Sequence, residues 1–509
     1  MIPGVRVLLC GHAAEAGAEP GEVLALLAAR GVDASVVEDV CTRPAALEGR
    51  GEEGRLVLGL CDRRPGPEEL QARTRRAGFG PFDAEVVPFA DAAPAPDPSS
   101  RLAALLAARA AGLAARGRTV QAHLRPELAA AGLSRRSLLT GGTWTYRPVA
   151  AVGQGCLGVE RCGLCVGACP AGAIQGPGRP VVDAEACRAC GACVSACPVG
   201  AATLPDADLP GLEAELAVLV EEARAAGVPL ALACGSAPRI PEEGDRVPVR
   251  LPCLSVVTAG WVLQLLVAGA PGIVLAGCGD ACRVGGAGRA RGVVETVRRV
   301  VAARGASAGD RVRLYLGGLP EEPAVGSGAT APAPPGEATV GRAGPRLSEP
   351  WATTAAAAAL LPSGAVLEDL PAGPGVLSVT ERCTLCGLCA SVCPTGAVAL
   401  ERGAVTSALT FDPASCAGCG NCVPICPEGA LRLSRRLDRD ELSGGRRRLR
   451  AGAEALCRSC GGPVAPGPML ERIRELLADE GPGLLRLLTE LCPDCRAAGR
   501  APAEGPVRG

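Results

Sequence analysis

CTLCGLCASVCP, residues 383–394, and CAGCGNCVPICP, residues 416–427, decide the fold of their part of the chain. In each stretch the cysteines follow the spacing C-x2-C-x2-C-x3-C-P. Three thiolates in one tight loop can wrap one corner of a cubane iron–sulfur cluster, while the fourth, held before proline, turns away to a second cluster. The doubled motif therefore predicts two [4Fe-4S] clusters that share both stretches. Their ligand sets are Cys383, Cys386, Cys389 and Cys426, and Cys416, Cys419, Cys422 and Cys393.

A second pair of cysteine stretches lies upstream. CRACGACVSACP (187–198) repeats the full motif, whereas VGQGCLGVERCGLCVGACP (152–170) has Val159 where the first cysteine is expected. Cys156 is the nearest thiol, and a three-residue loop insertion would let it reach the cluster; the alternative is that Cys156 completes a site in the N-terminal domain. We favour a second two-cluster module. Its ligands are Cys156, Cys162, Cys165 and Cys197, and Cys187, Cys190, Cys193 and Cys169.

Three glycines in the odd stretch (Gly153, Gly155 and Gly158) match the G-x-G-x-x-G spacing of dinucleotide sites. Such a site needs a long helix directly after its glycines, with the helix N-terminus facing the phosphates. Here a cysteine loop follows instead. We expect no flavin or NAD site.

The first 90 residues alternate between short apolar runs and segments of helical spacing, which is the pattern of a parallel α/β sheet. The runs VRVLLC, ASVVEDVC and RLVLGLC each end in a cysteine: Cys10, Cys41 and Cys61. Because ligands bind at the carboxyl ends of parallel strands, we expect these thiols to converge on one crevice that could hold a further cluster. The alternative is that they are buried cysteines acting as small apolar side chains.

A second alternating unit covers residues 206–318, with VPLALAC, VRLPC, GIVLAGC and RVRLYLGG as its strands. Its cysteines again fall at strand ends, and four thiolates without histidine suit a [2Fe-2S] cluster or zinc. Two CxxC pairs near the C-terminus predict a tetrahedral site, most often zinc, with a single iron or another cluster as the alternative. The two sets are Cys234, Cys253, Cys278 and Cys282, and Cys457, Cys460, Cys492 and Cys495.

The predicted fold class is α/β plus α+β, with two small parallel-sheet domains, two dicluster ferredoxin-like modules and a zinc-ribbon-like segment. The expected order is an N-terminal α/β domain (1–95), a helical linker (96–150), ferredoxin module 1 (151–205), a second α/β domain (206–320), a linker (321–372), ferredoxin module 2 (373–436) and a CxxC/CxxC tail (437–509).

Composition excludes several classes of function. The net charge is −1 and aromatic residues make up 2% of the chain, so neither a basic field nor base stacking favours nucleic acid. No signal sequence is visible at the N-terminus. The apolar run 254–277 contains Gln264 and is broken by Pro271-Gly272, which favours a buried helix, a turn and a core strand over a membrane span. With 27 cysteines in a long chain, we expect reduced ligands in a cytoplasmic protein.

Two family resemblances follow from these residues. VPLALAC, VRLPC, GIVLAGCGDACR and RGVVETVRRV resemble the delta subunit of methyl-viologen-reducing hydrogenase, although the last two cysteines of that family are usually one residue further apart. This resemblance implies a [2Fe-2S] cluster and electron transfer between a hydrogenase or formate dehydrogenase and heterodisulfide reductase. LVLGLCDRRPGPEELQARTRRAGF (56–79) resembles the iron–sulfur N-terminal domain of the flavin-containing subunit of heterodisulfide reductase, without the flavin domain of that subunit.

These observations predict a multicluster electron-transfer subunit without catalytic residues of its own. Its partners would be redox enzyme subunits of the hydrogenase, formate dehydrogenase or heterodisulfide reductase type, with neither nucleic acid nor a membrane span. Two alternatives stay open: an iron–sulfur thiol-disulfide oxidoreductase that uses the N-terminal crevice, and a redox-sensing scaffold.

Overall fold

The computed structural model describes residues 2, 4–42, 47, 54–61, 67–117, 125–128, 144–235, 237, 245–279, 282–305, 311–320, 347, 350–371 and 375–500. The chain divides into two compact units. Unit 1 comprises Met1–Val159 and Gly163–Pro362, and unit 2 comprises Glu160–Cys162 and Ser363–Gly509.

Unit 1 begins with a four-stranded parallel sheet of strand order β2-β1-β3-β4. Central strands β1 and β3 are buried along most of their length, because neighbours cover both faces of a parallel sheet. The sequence prediction of parallel strands is confirmed. The elements are β1 (Val5–Cys10), α1 (Pro20–Ala29), β2 (Asp33–Val37), β3 (Arg55–Leu60), α2 (Pro67–Arg76), β4 (Ala84–Pro88) and α3 (Pro98–Ala115).

Short paired strands and two one-turn helices follow. β5 pairs with β6, β7 with β10 and β8 with β9, all antiparallel. Each short helix starts after a glycine in the left-handed region, Gly163 at φ 61° and Gly191 at φ 75°. The elements are β5 (Arg125–Leu128), β6 (Trp144–Arg147), β7 (Ala151–Val152), α4 (Leu164–Ala168), β8 (Ile174–Gln175), β9 (Val181–Val182), α5 (Ala192–Ala196) and β10 (Ala202–Thr203).

A second sheet completes unit 1, with strand order β12-β11-β13-β14-β15; the first four strands are parallel and β15 is antiparallel. The apolar run 254–277 forms a 3-10 turn, helix α7 and strand β13, as predicted, and Gln264 is buried. The elements are α6 (Leu209–Ala226), β11 (Leu230–Cys234), β12 (Val247–Leu251), α7 (Ala259–Val267), β13 (Ile273–Gly277), α8 (Gly286–Ala302), β14 (Val312–Leu316), β15 (Leu319–Pro320) and α9 (Pro350–Leu360).

Helix α3, expected within a linker, lies instead in the core of unit 1. Asp97 caps its N-terminus by accepting a hydrogen bond from the backbone N–H of Ser100 (3.0 Å). One side packs on β1, β3 and β4, and the other packs on α6. Gly112 and Gly211 let these two helices approach closely: a Cβ at Gly112 would lie 3.0 Å from the carbonyl oxygen of Gly211. The alanine-rich composition of α3 therefore serves tight packing.

Unit 2 contains antiparallel strand pairs and short helices. β16 pairs with β21 and β17 with β20, and a four-stranded sheet has the order β18-β19-β22-β23. The elements are β16 (Val366–Leu367), β17 (Val376–Val379), α10 (Leu388–Ser391), β18 (Val398–Arg402), β19 (Thr406–Phe411), β20 (Leu431–Ser434), β21 (Leu437–Asp438), α11 (Arg439–Ser443), β22 (Arg447–Leu456), β23 (Pro463–Pro466), α12 (Gly467–Leu476), α13 (Pro482–Glu490) and α14 (Pro493–Ala497). Among the described residues, we find no helix with the length and apolarity needed to cross a membrane.

Candidate metal centres

The ferredoxin motifs of unit 2 form a cysteine-lined core. Cys383, Cys389, Cys393 and Cys422 are buried in one cluster with apolar residues that include Leu377, Leu385 and Phe411. A narrow pocket is bounded by Cys383, Cys386, Cys389 and Cys426, the four residues predicted to share one cluster. This donor set fits a cluster because it supplies four thiols in an apolar setting.

The third cysteine of each complete motif has the same electrostatic setting. Burial, and then the charge of neighbouring thiols, raise the pKa of Cys193, Cys389 and Cys422 to about 12. Such a thiol becomes a ligand only when a cation offsets the burial of its negative charge, because metal binding releases the proton. The chemistry of these positions therefore fits thiolates that are stabilised by iron.

Backbone N–H groups donate to the sulfur atoms at repeated positions. The fourth cysteine of three halves accepts from the residue four positions on: Ala173 to Cys169 (3.3 Å), Ala201 to Cys197 (3.2 Å) and Ala430 to Cys426 (3.3 Å). In the remaining half, Val398 donates to Cys393 at 3.4 Å. Hydrogen bonds of this kind tune the potential of a bound cluster.

The odd half follows the same pattern at its first cysteine. Gly158 donates its N–H to Cys156 Sγ at 3.4 Å, and Gly418 donates to Cys416, the first cysteine of a complete motif, at the same distance. Val159, which stands where the first cysteine was expected, donates its N–H to Gly178. Cys156 therefore has the same local hydrogen bond as Cys416.

In the middle domain the four predicted cysteines lie at one edge of the second sheet. A hydrogen bond with Cys234, and then burial, raise the pKa of Cys253. Burial raises the pKa of Cys278, and its hydrogen bond with Cys282 adds to the rise; a further hydrogen bond links Cys278 to Cys234. Gly286 opens α8 beside them, and a Cβ there would lie 2.9 Å from Cys253 Sγ and 3.4 Å from Cys282 Sγ. Hydrogen bonds therefore connect all four thiols in pairs: Cys253 with Cys234, Cys234 with Cys278, and Cys278 with Cys282.

Ferredoxin module 1 packs against this same edge. Gly191, which precedes α5, faces Val256, so that a Cβ at Gly191 would lie 3.0 Å from its side chain. Arg289 on α8 donates to the carbonyl oxygen of Ala168 (2.6 Å). Burial raises the pKa of Cys190, and negative charge on Cys253 adds to the rise. The cysteines of module 1 and those of the middle domain are thus electrostatic neighbours.

The three cysteines of the N-terminal domain converge as the sequence predicted, and a histidine joins them. The donor atoms of Cys10, His12, Cys41 and Cys61 all lie within 4.8 Å of one another. Strand β2 ends at Val37, so Cys41 reaches the group from a turn rather than from the strand itself. Sequence analysis missed His12; the signal was its position two residues after Cys10, directly beyond the end of β1.

The tail brings its two CxxC pairs together. The sulfur atoms of Cys457, Cys460, Cys492 and Cys495 lie within 4.8 Å of one another, with Cys460 and Cys492 3.6 Å apart. Burial raises the pKa of Cys457, but backbone hydrogen bonds from Cys492, Cys460 and Ser459 outweigh it and lower that pKa to about 6. Arg458 donates its N–H to the Glu490 carbonyl oxygen (2.9 Å), which links the two knuckles. These four cysteines could hold one metal ion.

Comparison with known proteins bears on the ferredoxin modules and on the middle domain. Residues 382–430 match the model of a 4Fe-4S dicluster domain, and residues 180–203 match that of a 4Fe-4S binding domain. Residues 232–325 match the family model of methyl-viologen-reducing hydrogenase, delta subunit. A search of curated proteins found no match to the chain. The protein is therefore a mixed α/β protein with ferredoxin-type 4Fe-4S domains, and these segments indicate an iron–sulfur electron-transfer subunit.

The comparisons bear on the sequence predictions to different degrees. The hydrogenase delta-subunit resemblance of the middle domain and the 4Fe-4S character of both modules are confirmed. The match in module 1 covers its second half, so the odd half remains a prediction, as do the individual ligand assignments. The resemblance of the N-terminal domain to the flavin-containing subunit of heterodisulfide reductase also stays a prediction.

Proposed function

We propose that the protein relays electrons between a hydrogenase or formate dehydrogenase-type partner and a heterodisulfide reductase-like or other redox enzyme. The observation that carries this proposal is the packing of module 1 on the cysteine edge of the middle domain. Electron relay needs redox centres that are close together and shielded from water. Module 1 contacts the middle domain through Gly191 against Val256 and through the hydrogen bond from Arg289 to Ala168. When bound, iron–sulfur clusters supply reversible one-electron oxidation and reduction.

The residues of the chain would bind and shield these centres. Module 2 would hold two [4Fe-4S] clusters and module 1 two more, with Cys156 as the displaced ligand. The middle cysteines would hold a [2Fe-2S] cluster; their pairwise hydrogen bonds suit two irons with two thiolates each. Backbone N–H groups at Ala173, Ala201, Val398 and Ala430 would favour the reduced, more negative state of the cluster beside them.

We assign the tail a structural zinc ion. Its four thiols fill a tetrahedral donor set, three of them are buried, and Leu491 and Val464 pack against them. A closed set of four protein ligands leaves no open position for a substrate, so the metal would hold the two knuckles together.

The thiol-disulfide oxidoreductase alternative has less support. Cys10, Cys41 and Cys61 are 0%, 1% and 5% exposed, so their sulfur atoms offer a disulfide substrate no direct approach. An exposed, low-pKa thiol would suit that chemistry better.

Turnover of the isolated, cluster-loaded chain tests the proposal. With reduced methyl viologen as donor and glutathione disulfide as acceptor, we expect the clusters to become reduced and viologen consumption then to stop. Sustained viologen oxidation that depends on the disulfide and on the protein would establish the oxidoreductase instead. Protein without reconstituted clusters is the control for direct reaction between the two reagents.

A further inference from the structure

Three thiols and one imidazole lie close together at the carboxyl-end edge of the N-terminal sheet. Cys10 Sγ lies 3.1 Å from His12 Nδ1 and 3.6 Å from Cys41 Sγ, and Cys41 Sγ lies 3.6 Å from the same His12 nitrogen. Cys61 completes the group within 4.8 Å. We propose that Cys10, His12, Cys41 and Cys61 bind a single zinc ion.

Donor spacing distinguishes one ion from a cluster. With metal–sulfur bonds of about 2.3 Å, a tetrahedral ion draws its ligand atoms to roughly 3.8 Å from one another. A cubane binds each thiolate at a different iron and therefore holds the sulfur atoms further apart. Sγ–Sγ and Sγ–Nδ1 distances of 3.1 to 3.6 Å match the single ion. In the described part of the chain, this group and the tail cysteines share that close spacing.

Asp39 orients the imidazole for metal binding. His12 Nε2 lies 3.3 Å from Asp39 Oδ1, so with a metal bound the carboxylate would hold the proton on Nε2 and Nδ1 would present its lone pair to the ion. This carboxylate–histidine–metal arrangement is the usual support of a histidine ligand. The backbone N–H of Thr42 donates to the Asp39 carbonyl oxygen (2.9 Å), and this turn carries Cys41.

The surroundings of the thiols suit a closed, structural site. The three cysteines are buried, and they lie at or shortly after the carboxyl ends of β1, β2 and β3. Arg73 on α2 donates to the Cys41 carbonyl oxygen (3.1 Å), which fixes the turn and brings positive charge towards three thiolates. Three cysteines and one histidine form a standard zinc set with every position filled by protein. Zinc would therefore tie three strand ends together without taking part in electron relay.

Metal analysis of the anaerobically prepared full chain tests this assignment. We expect His12→Ala to contain about one zinc ion per chain less than the wild type, with iron and sulfide unchanged. That difference does not depend on what the tail holds. Cys492→Ser, which alters the tail site, serves as the matched control; combined with His12→Ala it should leave no zinc. Because the expected change is in zinc content and not in iron or sulfide, this experiment can fail while the electron-relay proposal stands.

Two further variants keep the test decisive if His12→Ala misfolds. His12→Cys should retain the ion and, with cobalt in place of zinc, shift the d–d absorption towards that of a four-thiolate site. Asp39→Asn should weaken zinc binding about 10- to 100-fold, as for other supports of a histidine ligand. An unchanged zinc content in His12→Ala, or a loss of iron and sulfide in its place, would overturn the proposal, as would unchanged zinc affinity in Asp39→Asn.

Discussion

The N-terminal sheet and the middle sheet share one strand order yet collect different donors. In both, the parallel strands stand in the order second, first, third, fourth. Cysteines occupy matching places: Cys10 and Cys234 end the first strand, Cys41 and Cys253 follow the second, and Cys61 and Cys278 follow the third. The shared strand order therefore places the cysteines of both sheets at the same edge.

The two centres differ in their fourth donor. In the N-terminal sheet it is His12, in the turn directly after β1, and all four donor atoms lie within 4.8 Å. In the middle sheet it is Cys282, which stands four residues after Cys278 and before α8. The fourth donor therefore follows the first strand in the N-terminal sheet and the third strand in the middle sheet. Under our proposal the loops, rather than the sheet, would determine which metal each site binds.

The largest expected effect is a difference in which metal is lost when a cysteine of each sheet is replaced. If Cys234 is a ligand of the proposed middle cluster, Cys234→Ala should cost about two iron atoms together with the [2Fe-2S] EPR signal. Cys41→Ala should do the reverse, losing zinc and keeping iron. Metal analysis and EPR of both variants measure this. Loss of the same metal from both variants would show that the sheets hold the same kind of centre.

The tail is the second site for which we propose a single zinc ion, so its variants can be compared with those of the N-terminal site. Cys457→Ser with Cys460→Ser should remove the proposed zinc and destabilise residues 447–497, because that metal would join two knuckles across α12 and α13. Limited proteolysis of the anaerobic protein should cut this region first, while the ferredoxin EPR signals stay intact. If iron falls and zinc was never present, the tail is a redox centre.

Cys156 tests whether the N-terminal site needs a fourth cysteine. Without its thiol, the cluster proposed for the odd half of module 1 would keep only Cys162, Cys165 and Cys197, and an iron without a thiolate ligand is readily lost. Oxidised Cys156→Ala should therefore give a [3Fe-4S] EPR signal while its zinc content stays at the wild-type value. A cysteine that belonged to the N-terminal site would produce the opposite pair of results.

The smallest effect concerns the contact between module 1 and the middle sheet. Gly191→Ala places a Cβ 3.0 Å from Val256 at a residue with φ 75°. The left-handed backbone alone costs about 1–2 kcal/mol for a residue other than glycine. We expect slower electron transfer between the two sites with unchanged iron content, measured by stopped-flow reduction. Gly200→Ala, also at positive φ but with open space around it, controls for the backbone cost.

Much of this arrangement was readable from residue spacing. The doubled ferredoxin motif and the cysteines at or shortly after the ends of three apolar runs are local patterns, so they predicted both the clusters and the convergence of Cys10, Cys41 and Cys61. His12 was missed because a single histidine has no pattern of its own; its role depends on Asp39 and Cys41, which a fold must bring near. The burial of α3 was missed for the same reason, because an alanine-rich helix acquires its neighbours only through tertiary packing.

Magnetic coupling between the middle site and module 1 tests the electron-relay account most directly. In the dithionite-reduced full chain, the relaxation of the proposed [2Fe-2S] EPR signal should be fast, because Cys190, a proposed cluster ligand of module 1, is an electrostatic neighbour of Cys253. Cys190→Ala should slow that relaxation, whereas Cys386→Ala in module 2 serves as a comparison variant with the module 1 ligands intact. A [2Fe-2S] signal that relaxes equally slowly in the wild type and in Cys190→Ala would contradict the account.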